Sequence, residues 1–100
     1  MTTFKNFTPH DVKLNNGKVY PSMGVARVSA TFSAPVDGVC HQLFGPVVGL
    51  PDPQPGVKYI VSAYVLGATT RTDVVAPATG HPAAVRDDKG HIVSVPCFVR

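Results

Sequence analysis

Alternation of apolar and polar positions along the chain predicts short β-strands. In residues 25–32, VARVSATF, the side chains of Ala26, Val28, Ala30 and Phe32 fall on one face, with polar residues between them. This pattern is typical of a half-buried strand. The apolar run VCHQLFGPVVGL at 39–50 predicts a further strand. Its Gly-Pro step indicates an edge position or a bulge.

Turn sequences divide the rest of the chain into hairpins. Asn15, Asn16 and Gly17 separate two short extended runs, and an Asn-Gly step at such a place is a strong hairpin signal. A second hairpin is predicted over 84–95, with its turn at 88–90.

The segment 57–68, VKYIVSAYVLGA, is the most apolar part of the chain and follows the proline-stiffened loop GLPDPQPG. Its pattern allows two structures. It is a central strand throughout, or it is a strand through Ser62 followed by a short helical turn. Taken together, the elements predict a mainly β fold. We expect a small antiparallel barrel or sandwich of about six or seven short strands, with room for one short helix, in a single domain over 1–100.

Charge and cysteine content exclude several classes of protein. The net charge is +3, and the nine Lys and Arg are scattered without a basic block, which disfavours nucleic acid as a partner. No apolar run approaches the length of a membrane span, and the N-terminus does not resemble a secretory signal, so a cytoplasmic location is expected. Cys40 and Cys97 lie in apolar runs outside any zinc motif, which predicts buried free thiols and no metal or other cofactor.

Candidate chemistry concentrates in polar segments beside stiff loops, and no phosphate loop or activated-serine motif is present. His10 follows Pro9, which fixes the neighbouring backbone. Arg71 lies among threonine hydroxyls and could bind phosphate, or it could form a structural pair with Asp73. The candidate ligand-binding residues are Thr8, His10, Arg27, Ser62, Thr70, Arg71 and Asp73.

Five short segments in a fixed order resemble a family of small proteins encoded by bacteriophages and prophages. They are NFTPH, GVARV, GLPDPQPGVKYIVS, RTDVVAP and RDDKGHIVSV. The resemblance extends over nearly the whole chain and implies a phage origin, with the host bacterial cytoplasm as the site of action. It does not imply a particular chemistry. The final VSVPCFVR carries a proline where the family typically continues from a glycine-containing turn into a strand.

Three functions from different classes fit a small phage protein of this kind. The first is counter-defence, in which the protein sequesters a nucleotide-derived immune signal in a pocket formed between copies of a homo-oligomer. The second is a protein–protein module that inhibits or adapts a host or phage protein. The third is a small phosphodiesterase or lyase that acts on a nucleotide, with His10 as general acid or base. The sequence favours binding without catalysis and no membrane partner.

Overall fold

A computed structural model describes residues 2–100; Met1, the first residue of the predicted domain, lies outside them. The predicted class is confirmed, because these residues form mainly β-structure with one short helix. The strands are β1 (Thr3–Asn6), β2 (Val12–Lys13), β3 (Val19–Tyr20), β4 (Arg27–Phe32), β5 (Gln42–Val48), β6 (Val57–Ile60), β7 (Val74–Pro77), β8 (Val85–Arg86), β9 (Ile92–Ser94) and β10 (Phe98–Val99), and the helix is α1 (Ala63–Gly67).

The largest sheet has the strand order β1-β6-β7-β10. The described residues form no closed barrel. Strands β1, β6 and β7 run parallel, and only β10 is antiparallel to its neighbour. The antiparallel pairing predicted throughout is therefore wrong for this sheet. Residues 61–73, which include α1, form the crossover that a parallel β6–β7 pair requires.

The central strands β6 and β7 are buried on both faces, which explains why their sequence shows no alternation. Ile60 and Val75 pack in one apolar cluster with Val12 and Val95. Val61 and Val74 pack in the other cluster, on the side of α1. Of the two structures predicted for 57–68, the molecule adopts the strand followed by a short helix.

Both predicted hairpins are confirmed as the pairs β2–β3 and β8–β9. Strands β4 and β5 form a separate two-stranded ribbon, called here the arm (residues 27–48). Its bulge lies where two residues, Gly45 and Pro46, face Ser29, as the Gly-Pro step indicated. The molecule measures 48 × 38 × 19 Å, with a radius of gyration of 15.4 Å. A compact chain of this length has a value of about 13 Å.

The prediction that both cysteines are buried is wrong. Cys40, in the arm, and Cys97, just before β10, are free but exposed, and His41 beside Cys40 is exposed too. The apolar run at 39–48 belongs to a ribbon that packs against the core cluster at its base, through Val28 and Val47. Farther along the ribbon, the Phe44 ring lies 5.4 Å from the ring of Tyr64 in α1. The remaining apolar side chains of the ribbon therefore have no core to enter. No helix among residues 2–100 is long and apolar enough to cross a membrane.

Candidate ligand-binding site

A cavity of about 440 Å³ lies at the carboxyl ends of the parallel strands and is called here the carboxyl-edge cavity. Segments that follow β1, β6 and β7 contribute to its lining, and β2 and β9 complete it. In sheets with parallel strands, ligands commonly bind beyond the carboxyl ends. The lining includes Thr8, His10, Lys13, Ser62, Pro77 and Val93.

The walls of this cavity are mostly apolar, and its charged or titratable side chains, on His10, Asp11 and Lys13, belong to exposed residues. Val12, Ile92, Val93 and Val95 provide apolar surface. A second cavity of about 400 Å³ shares Pro77 and other residues with it, so the two form neighbouring concavities. The volume falls within the range of about 300–1,000 Å³ that is usual for small-ligand sites.

Asn6, at the end of β1, fixes the loop that carries Thr8 and His10. Its side chain is almost completely buried, and its Nδ2 donates to His10 O at 2.9 Å and to Tyr20 O at 2.8 Å. Its Oδ1 accepts from Thr8 N–H at 2.9 Å, and the Thr8 hydroxyl lies 2.7 Å from the same oxygen. Both polar ends of the amide are thus satisfied, and the loop is held against the sheet.

The three predicted site residues that line the cavity differ in what they offer a ligand. The Thr8 hydroxyl is engaged with Asn6 and lies 2.7 Å from His10 O. Ser62 is the N-cap of α1, and its Oγ accepts from Val65 N–H at 3.3 Å. Only His10 is exposed at the rim, and no hydrogen bond to its imidazole is found within residues 2–100.

Arg71 and Asp73 form a structural pair, which is one of the two arrangements that their sequence allowed. The Arg71 Nε and Nη2 atoms donate to the two carboxylate oxygens of Asp73 at 2.9 and 2.6 Å. Nη1 donates to Pro51 O at 2.9 Å, and the guanidinium lies 5.6 Å from the Tyr59 ring centre. The hydrogen bond from Arg71 lowers the pKa of Asp73, and the same bond raises the pKa of Arg71.

The remaining predicted residues also lie outside the cavity lining. Thr70 is exposed beside Arg71, and Arg27 is exposed at the base of the arm, opposite Val48. Arg71 precedes β7, whereas His10 follows β1. Because these strands run parallel, the two residues belong to opposite edges of the sheet. The predicted set therefore divides between the two edges and the arm.

Sequence reasoning missed two residues that shape the site. Asn6 organises the loop, but a lone asparagine after an aromatic strand carries no distinctive signal. Lys13 lines the cavity, but in the sequence it is one of nine scattered Lys and Arg residues. Its position three residues after His10 was the available clue.

The described residues hold no group of three His, Cys, Asp or Glu that could bind a metal ion. Comparison of the chain with protein-family models, with curated proteins and with solved structures found no match.

Proposed function

We propose that the protein binds a small nucleotide-like anion in the carboxyl-edge cavity and sequesters it without converting it. The supporting observation is a cavity of ligand size with apolar walls and two cationic or titratable side chains, Lys13 and His10, at its rim. Apolar walls suit the face of a base, and an ammonium group suits a phosphate. The phage-like sequence segments favour an immune signal of the host as the ligand.

Binding rather than catalysis is favoured by the surroundings of the polar groups. The hydroxyls of Thr8 and Ser62 are used by the loop and by the helix cap, so neither is poised as a nucleophile beside a base. The one carboxylate among the lining residues, that of Asp11, accepts a hydrogen bond from Ser22 N–H. A general acid or base normally needs a partner that orients it, and His10 has none among these groups.

Isothermal calorimetry with a panel of cyclic dinucleotides and cyclic ADP-ribose-type nucleotides tests the proposal. We expect one of them to bind in a 1:1 ratio per chain and to be recovered intact by chromatography after incubation. Lys13→Ala should weaken binding about 10-fold or more, since it removes a charge-assisted contact. Lys18→Ala is the matched control, because Lys18 lies over the Tyr20 ring and does not line the cavity.

Folded protein that binds no member of the panel would overturn the proposal and favour the protein–protein module. Conversion of the nucleotide, abolished by His10→Ala, would instead establish the enzyme alternative. Equal losses of binding affinity from Lys13→Ala and Lys18→Ala would show that the ligand binds outside the carboxyl-edge cavity.

A further inference from the structure

The outer edge of β4 is an unpaired strand edge without the usual protection. β4 pairs only with β5, and residues 27–32 form no backbone hydrogen bond with any other segment of the described chain. Natural edge strands are usually blocked by proline, lysine or a bulge. β5 has both Pro46 and the bulge, whereas residues 28–32 have neither a proline nor a charge. The arm is therefore protected along one edge only.

The alternation of hydrogen-bonded and non-hydrogen-bonded pairs between β4 and β5 determines which backbone groups of β4 remain free. Ser33 N–H donates to His41 O at 2.9 Å, so these two residues form a hydrogen-bonded pair. Such pairs alternate along an antiparallel ladder, and the backbone groups of Ala30 and Phe32 consequently point away from β5. An isolated two-stranded ribbon is marginally stable in water, and an additional strand at this edge would satisfy those groups.

The sequence of β4 is complementary to itself when it is paired antiparallel about Ala30. In that register Val28 faces Phe32 of a second copy, and Ser29 faces Thr31 of that copy. An aromatic residue opposite a β-branched residue, and two hydroxyl residues opposite each other, are both favourable cross-strand pairs. In the same register, the backbone groups that point away from β5 lie opposite each other in the two copies, where they can form hydrogen bonds.

The lack of charge along β4 removes an obstacle to pairing with a second copy. Each chain carries a net charge of +3, which opposes association of two copies through charged surfaces. Asp37, at the turn of the arm, is the one charged residue between positions 28 and 51. In the register about Ala30, the two Arg27 side chains lie at opposite ends of the paired strands. Phe32, whose exposed fraction is 64%, would lose solvent contact.

We propose that β4 pairs with β4 of a second copy about a two-fold axis at Ala30, which joins two arms into a four-stranded sheet. This contact does not depend on the ligand of the carboxyl-edge cavity. Because one short strand from each copy forms its centre, the interface is at the small end for protein pairs, and we expect association at micromolar concentrations.

Sedimentation equilibrium over a range from nanomolar to hundreds of micromolar chain measures this association. The wild-type mass should rise from 10.5 kDa to twice that value. Phe32→Lys should raise the dissociation constant about 10-fold or more, because both Phe32–Val28 pairs are lost. Leu43→Lys is the matched control: Leu43 is 57% exposed but lies on β5, and this variant should associate like the wild type.

The register is tested by single cysteines in a Cys40→Ser, Cys97→Ser background, joined by a short bifunctional maleimide. Ala30→Cys should cross-link to a second copy efficiently and Leu43→Cys poorly. The proposal would be overturned by a wild-type protein that stays monomeric throughout the concentration range. It would also be overturned if the arm bound a different protein while the chain itself stayed monomeric. Association that Leu43→Lys weakens more than Phe32→Lys would do the same. Circular dichroism establishes that each variant is folded.

Discussion

Asn6 is the single residue on which the loop of the carboxyl-edge cavity most depends. Asn6→Asp keeps the shape of the side chain but replaces the Nδ2 donor with an oxygen that faces two carbonyl groups. We expect a loss of about 3 kcal/mol in unfolding free energy at pH 7, since buried groups lose their partners and a charge is buried. Urea denaturation measures this loss.

Asn16→Asp is the control for that substitution. Asn16 is exposed, and its Oδ1 accepts from Lys18 N–H, a role that a carboxylate can also fill. Its cost should stay below about 0.5 kcal/mol. Similar costs for the two variants would contradict the role assigned to Asn6.

The Arg71–Asp73 pair makes stability depend on pH in acid. Because Arg71 lowers the pKa of Asp73 in the folded state, the ionised carboxylate stabilises the fold above the unfolded pKa, near 3.9. This stabilisation is lost as the pH falls through the folded pKa. Asp73→Asn should therefore cost about 2 kcal/mol at pH 7 and much less near pH 2.

Asp88→Asn provides the comparison for the pH series. Asp88 is exposed in a turn and forms no side-chain hydrogen bond or ion pair within residues 2–100. Unfolding free energies measured from pH 2 to pH 7 should be nearly parallel for this variant and the wild type. An Asp73→Asn curve that is also parallel to the wild type would show that the pair is not stabilising.

At the scale of the element, α1 is short enough to depend on its cap. Ser62→Ala removes the side-chain acceptor for Val65 N–H and should cost about 1 kcal/mol. Ser62→Asp restores an acceptor at the N-cap and should recover most of that loss, as measured by thermal unfolding. If Asp failed to recover the stability, capping would not be the main role of Ser62.

The base of the arm depends on a glycine. Gly49 has a φ of 81°, and a Cβ atom added there would lie 2.5 Å from Val25 O. Gly17 has a comparable φ of 93° but has no atom within 4 Å of that position. Gly17→Ala should therefore cost about 1–2 kcal/mol from backbone strain alone, and Gly49→Ala should cost more because the backbone at Val25 must also move. Equal costs in urea denaturation would contradict this steric argument.

Local elements could be predicted from the sequence because their signals are local. The Asn-Gly turn, the alternation of β4 and the Gly-Pro bulge each reflect the conformations available to a few residues. Burial could not be predicted in the same way. The run around His41 is as apolar as a core strand, but whether such a strand is covered depends on elements that are distant in sequence.

At the scale of the whole molecule, strand direction was the decisive unknown for the site. His10 and Arg71 were grouped because both lie in polar segments beside stiff loops. Had β1 and β7 been antiparallel, a residue following one and a residue preceding the other would share an edge. They run parallel through β6, so the two segments separate, and only the segment after β1, with His10, contributes to the cavity.

The shape of the molecule predicts how its stability is distributed. Strands β6 and β7 are buried on both faces, whereas the arm is largely exposed and contacts the rest of the molecule at its base and at Tyr64 of α1. Backbone amides of β6 and β7 should therefore exchange with solvent most slowly in dilute protein. In β4 and the residue that follows it, the amides of Thr31 and Ser33 should exchange more slowly than those of Ala30 and Phe32, because only the amides of Thr31 and Ser33 point toward β5. Hydrogen exchange followed by NMR resolves these amides. Uniform exchange along β4 would mean that the whole ribbon opens before any single amide is exposed to solvent. An arm that unstable would not keep its hydrogen-bonding pattern, and it could not present a fixed strand edge to a second copy.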